Sequence, residues 1–240
     1  MKDRIIKWIQ QYFDANASSS SLAIVGISGG KDSNVCATLC KRALGTDRVL
    51  GVMMPNGKQR DFKDAEWICE YLDIARMTLD IKPIVEKIYD ILSKNQLIVN
   101  TMVTHSVPAR IRMVLLYALA AATNGRVCNT SNASEIFIGW TTKWGDNIGD
   151  FSPLGRLTCS EVIALGDELE LPAPLVYKKP EDGMSDKFDE EQWKFTYEAL
   201  DKYITTGVFD SITTVNNIMT MRRYSEHKRC VTIPTFYPAH

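Results

Sequence analysis

Apolar residues follow two alternating patterns along this chain. A short run rich in β-branched residues at 22–27 and an apolar run at 48–54 predict buried strands, and 75–81 and 126–131 read as two further strands. Between and after them, apolar residues recur every three or four positions. That spacing predicts helices over 1–14, 33–45, 62–72, 84–97, 109–123, 160–169, 190–203 and 212–223. Strand and helix alternate through the first third of the chain, so the pattern predicts an α/β fold on a parallel sheet, built as a single domain.

Local signals set the boundaries. Lys41 and Arg42 followed by Gly45 are helix stop signals, and Pro55-Asn56-Gly57 ends the second strand. Pro108 sits where helices like to begin, which places a helix start there, and Pro172 with Pro174 breaks the helix at 160–169. The serine-rich stretch 15–21 reads as a linker, and the charged segment 178–189, with its proline and glycine, is expected to be mobile. The helix after Pro108 has few polar residues beyond Arg112. It must therefore be buried on most sides, in the core or against a second subunit.

Composition narrows the function classes. Twenty-eight basic residues against 29 acidic ones leave a net charge of −1, which argues against a nucleic-acid partner held by broad electrostatics. The six cysteines are scattered without a C-x-x-C pair and read as small buried hydrophobes in a reducing compartment. The amphipathic N-terminus is no signal peptide, and the apolar run 113–122 is about half of what a bilayer crossing needs. The expected location is cytoplasmic, with no membrane partner.

The candidate chemistry begins at Gly26, Ile27, Ser28, Gly29, Gly30, Lys31, Asp32 and Ser33, a turn from a strand into a helix. Adjacent glycines let backbone N–H groups approach an oxyanion, the serines add hydroxyls, and a helix N-terminus adds partial positive charge. Asp32 beside phosphates calls for a cation between them, and Mg²⁺ prefers such a mixed set of oxygens. A Walker A loop is excluded, because Val25 and Asp32 stand where it needs Gly and Ser or Thr.

The run Ser-Gly-Gly-x-Asp-Ser resembles the pyrophosphate loop of the N-type ATP pyrophosphatases. Four further motifs follow in order: Ala109 to Met113; Asn129-Thr130-Ser131-Asn132-x-Ser134-Glu135; Gly139-x-Thr141-Thr142-Lys143-x-Gly145-Asp146 with Asp150; and Ser225 to Arg229. Together they resemble the ammonia-dependent NAD synthetases over nearly the whole chain. The resemblance implies a doubly wound, mostly parallel sheet of the adenine nucleotide alpha hydrolase type. It implies ATP-dependent amidation of deamido-NAD by ammonia through an adenylylated carboxylate, and a homodimer.

Carried over by residue, the resemblance puts Mg²⁺ on Asp32 and Glu135, and ATP on the loop 26–33 with Gln59 and Thr130. Deamido-NAD falls to Arg110, Lys143, Asp150, His227 and Lys228, and ammonia to Asp146, as base or as stabiliser of ammonium. Arg112, two residues from Arg110 on a helix, cannot face the same way and is expected to be a structural or interface ion-pair partner. Such enzymes often carry Arg, Lys and Ser or Thr where Met53, Cys159 and Glu181 stand here, so nucleotide binding should weaken unless Lys31, Lys178 or Lys179 compensates, and Lys31 is the one expected to. Rival readings are another ATP pyrophosphatase, such as an RNA-thiolating or nucleobase-modifying synthetase, and a non-catalytic adenine-nucleotide binder.

Overall fold

A computed structural model of the chain describes residues 1–59, 61–178 and 188–229. The first half runs α1 (Lys2–Asn16), β1 (Ala23–Gly26), α2 (Lys31–Leu44), β2 (Val49–Met53), α3 (Phe62–Tyr71), β3 (Ala75–Thr78), α4 (Lys82–Lys94), α5 (Thr101–Thr123) and β4 (Arg126–Cys128). The second half is helical: α6 (Ala133–Ile138), α7 (Cys159–Glu168), α8 (Ala173–Val176), α9 (Asp189–Trp193), α10 (Tyr197–Thr206), α11 (Ile212–Tyr224) and α12 (Glu226–Arg229).

The four strands form one parallel sheet in the order β3-β2-β1-β4, with Val25 opposite both Gly51 and Cys128. Successive strand residues face opposite ways, so each face has its own core. Ala23, Val25 and Ile27 pack with α1, α2, α3 and α7, whereas Ile24, Val52 and Val127 pack with α4 and α5. Helices on both faces make the sheet doubly wound, as the family resemblance implies. The chain crosses from β1 out to β3 and returns to β4, so β1 and β4 are neighbours and a crevice opens beyond their C-terminal ends. A third cluster, with Ile138, Trp193, Tyr197, Leu200 and Ile218, ties the C-terminal helices to α6 and α7.

Several expected boundaries move. Helix α2 starts at Lys31 rather than Ser33, which places Lys31 and Asp32 in its first turn. Helix α5 starts at Thr101, capped by the Asn100 side chain on Val103 N–H, so Pro108 lies inside it. Proline cannot donate to the Thr104 carbonyl, and the Tyr89 hydroxyl donates there instead at 3.4 Å. The helix expected over 190–203 is two, because Lys194 turns left-handed and Thr196 caps a new start. The segment 179–187, including Lys179 and Glu181, lies outside the described residues.

The expectation that the apolar helix is buried on most sides fails within this chain. Only 17% of the most apolar stretch of α5 is buried, and by length and composition alone the helix could cross a membrane. Ile98 is 82% exposed and Met102 77%, with Val114 also exposed. One face of α5 covers the sheet, and a four-stranded sheet has no second layer to cover the other.

Candidate active site

The turn after β1 is shaped by its own hydrogen bonds. Ile27 N–H donates to Val52 O, keeping the turn in register with β2. Gly29 sits at φ +86°, and a Cβ there would lie 2.5 Å from the Asp61 carbonyl, so only glycine fits. Ser33 Oγ donates to Gly30 O at 2.9 Å and accepts from Ser28 N–H at 3.3 Å, while Ser28 Oγ accepts from Gly30 N–H. The two hydroxyls first hold the turn, with Ser33 buried and Ser28 exposed.

Asp32 and Glu135, 103 positions apart in sequence, are brought together by one side chain. Asn132 Nδ2 donates to Asp32 Oδ1 at 3.1 Å. Asn132 also caps α6, its Oδ1 accepting from Glu135 N–H at 3.0 Å while Glu135 Oε2 accepts from Asn132 N–H at 3.1 Å. Loss of solvation and then the nearby Asp32 charge push the Glu135 carboxyl well above its usual range, although Lys31 works against this. Two neighbouring carboxylates beside the glycine turn are oxygen donors of the kind that suits Mg²⁺, which usually completes its shell with phosphate and water oxygens. Among the described residues no cluster of three or more metal-ligating side chains exists.

Lys31 fills the space beside this pair. Its side chain is 3% exposed, with Nζ 2.8 Å from Asp32 Oδ2 and 5.5 Å from the centre of the Tyr197 ring. Burial alone would lower its pKa, but the neighbouring Asp32, with Glu135 beyond it, outweighs that and holds it above the ordinary lysine range. The Cys159 thiol is buried beside it and is pushed up to about 12, mainly by desolvation. Lys178 is already bound to Asp61 and Asp64.

A second group of residues gathers on the loop between α6 and α7. Lys143 Nζ donates to His227 O at 2.7 Å, and Arg110 Nε donates to Lys143 O at 3.3 Å. Lys228 Nζ donates to Gly139 O and Thr141 O, and burial lowers its pKa against the pull of Asp146. Asp146 is exposed at its surface, and its carboxylate Oδ1 accepts from the Thr142 N–H. Lost solvation raises its pKa, despite the Thr142 N–H at 2.6 Å. The carbonyl of Asp146 accepts from Asn129 Nδ2 and Ser131 Oγ, which joins this loop to the end of β4.

The remaining expected site residues are more dispersed. Thr130 is half-buried, two residues past the end of β4, and Gln59 is exposed beyond β2. Asp150 sits at the flank of β4, where it accepts from Val127 N–H at 2.7 Å and from the Tyr117 hydroxyl at 3.5 Å. The His227 side chain is exposed. Arg112 is no ion-pair partner among the described residues. Its Nε donates to Met54 O at the end of β2, and Asp146 is the charge that acts on it. Sequence reasoning gave no role to Asn132 or Tyr197. An Asn three residues before Glu is a helix-start signature that pointed to Asn132, whereas nothing local pointed to Tyr197.

The chain matches the NAD synthase family over residues 1–232. It is 35% identical over 226 residues to the NH₃-dependent NAD⁺ synthetase of Thermococcus kodakarensis, with 88% of each chain covered. Among solved structures it is similar to an NMN synthetase from Francisella tularensis, at 29% identity and a TM-score of 0.88 over 98% of this chain and 97% of that one. An NH₃-dependent NAD synthetase from Campylobacter jejuni superposes with a TM-score of 0.77 at 26% identity, over 99% and 97% of the two chains.

Proposed function

The chain belongs to the NAD synthase family, and on that premise we propose that it is a ligase that amidates deamido-NAD with ammonia at the expense of ATP. The carboxylate of the substrate attacks the α-phosphorus of ATP, and pyrophosphate leaves. Ammonia then adds to the acyl carbon of the adenylate, loses a proton, and displaces AMP to give the amide. The first step is needed because a free carboxylate would have to expel oxide.

Each residue has a physical part in this. The turn 26–33 cradles the departing pyrophosphate with its N–H groups and the start of α2. Asp32 and Glu135 would hold Mg²⁺, which when bound neutralises charge on the phosphate oxygens. Thr130 and Gln59 contact ATP. Arg110, Lys143, His227 and Lys228 supply cationic partners for the anionic nucleotide substrate, and Asp150 accepts a hydrogen bond from it. Asp146, a carboxylate with a raised pKa on the loop joined to the end of β4, receives the proton that ammonia must lose.

The observation that carries this reading is the Asn132 bridge, which sets two carboxylates beside the glycine turn at the C-terminal end of the sheet. Purified protein given ATP, Mg²⁺, deamido-NAD and ammonium should release NAD, AMP and pyrophosphate in equal amounts, with glutamine a poor nitrogen source. ATP turnover without amide formation would sink the proposal.

The higher TM-score against the Francisella tularensis NMN synthetase than against the Campylobacter jejuni NAD synthetase favours a second reading, in which the same chemistry acts on the mononucleotide. Nicotinate mononucleotide offered beside deamido-NAD in the same assay decides between them by kcat/KM. We also propose a homodimer in the cytoplasm, joined through the exposed side of α5, without membrane or nucleic acid. Arg110 and Arg112 midway along α5 suit a protein interface far better than a lipid interior.

A further inference from the structure

Amidation by itself gives Lys31 no reason to be buried. A charged ammonium with 3% exposure is costly unless anions surround it. Among the described residues the only ion pair to Asp32 comes from Lys31. Asp32 is also tied through Asn132 to Glu135, so one lysine sits beside both acids. The Cys159 side chain next to it is an uncharged thiol, and Lys178 is held by Asp61 and Asp64.

We propose that Lys31 is a built-in counter-ion for the Asp32–Glu135 pair, so that a divalent cation gains the pair only together with the nucleotide. This rests on the reading that the pair holds metal. A divalent cation arriving alone must displace the ammonium from Asp32, and the two would repel at short range in a poorly solvated space. Phosphate oxygens arriving with the metal change that. They lie over the turn from which α2 starts, one residue before Lys31, and offer the displaced ammonium a new partner. Lys31 thereby acts as a positioning residue that couples metal binding to nucleotide binding, and such coupling is reciprocal.

The test is Mn²⁺ titration of nucleotide-free protein, read by electron paramagnetic resonance, alongside calorimetric titration with a non-hydrolysable ATP analogue and Mg²⁺. Wild-type protein should bind Mn²⁺ only weakly without nucleotide. Lys31→Met should bind it at least tenfold more tightly and bind the analogue at least tenfold more weakly. Lys31→Arg should keep the wild-type exclusion. The double variant Lys31→Met with Cys159→Lys, which returns a cation from the other side, should restore it, and serves if the single variant fails to fold. Saturable micromolar Mn²⁺ binding to nucleotide-free wild type overturns the proposal, as does a Lys31→Met variant with unchanged Mn²⁺ affinity. No amide product is measured, so failure of the proposed reaction and failure of this coupling are told apart.

Discussion

Replacing Asn132 should separate the architecture of the site from its chemistry. The side chain is fully buried and does two jobs: it caps α6 and it fixes Asp32 against Glu135. Losing a side-chain cap costs about 1 kcal/mol, and losing a hydrogen bond to a charged group costs about 1.5–3 kcal/mol. Because the two losses share one residue they need not add in full, so Asn132→Ala should lose about 2–4 kcal/mol of stability. For a chain of this size that lowers Tm by roughly 5–15 °C. Asn132→Ser keeps a capping hydroxyl but is too short to reach Asp32, so it should recover about 1 kcal/mol. Both variants should lose roughly 10–100-fold in kcat/KM for ATP, the usual cost of removing a group that orients metal ligands. Thermal melts give the first pair of numbers, and pyrophosphate release at varied ATP and Mg²⁺ gives the second. A serine variant with wild-type ATP kinetics would refute the idea that the bridge organises the site.

Other expectations follow from single features. Gly29→Ala should abolish ATP binding in calorimetry, because the added methyl meets the Asp61 carbonyl at 2.5 Å in a left-handed backbone. Glu135→Gln should raise metal-free stability at neutral pH while removing activity. The folded pKa of Glu135 lies well above the ordinary glutamate value, so its destabilising effect grows as pH rises through that ordinary value and vanishes below it. Melts of both proteins from pH 4 to 8 should therefore converge at the acid end. If Asp146 accepts a proton, activity falls as pH drops through its raised pKa, and Asp146→Asn should flatten that acid limb at a much lower rate. Met102→Glu with Val114→Glu should shift the protein from dimer to monomer in sedimentation and leave its melting temperature within a few degrees.

The sequence by itself determined what short-range pattern can encode. The four strands, the glycine turn and the order of the motifs are local statements, and β-branched runs, adjacent glycines and helix-stop signals state them within ten residues. Where a local rule met a longer context it misled. Pro108 reads as a helix start, yet Asn100 caps earlier and Tyr89, from another helix, takes up the carbonyl that proline leaves. Only the tertiary structure decided that Lys31 lies under Asp32 and Tyr197, that Arg112 turns to the end of β2, and that α5 leaves an apolar side uncovered. The physical reason is strand order. Placing β4 against β1 closes a gap of 100 residues between Asp32 and Asn132, and such a meeting depends on sheet topology and packing rather than on any run of neighbouring residues.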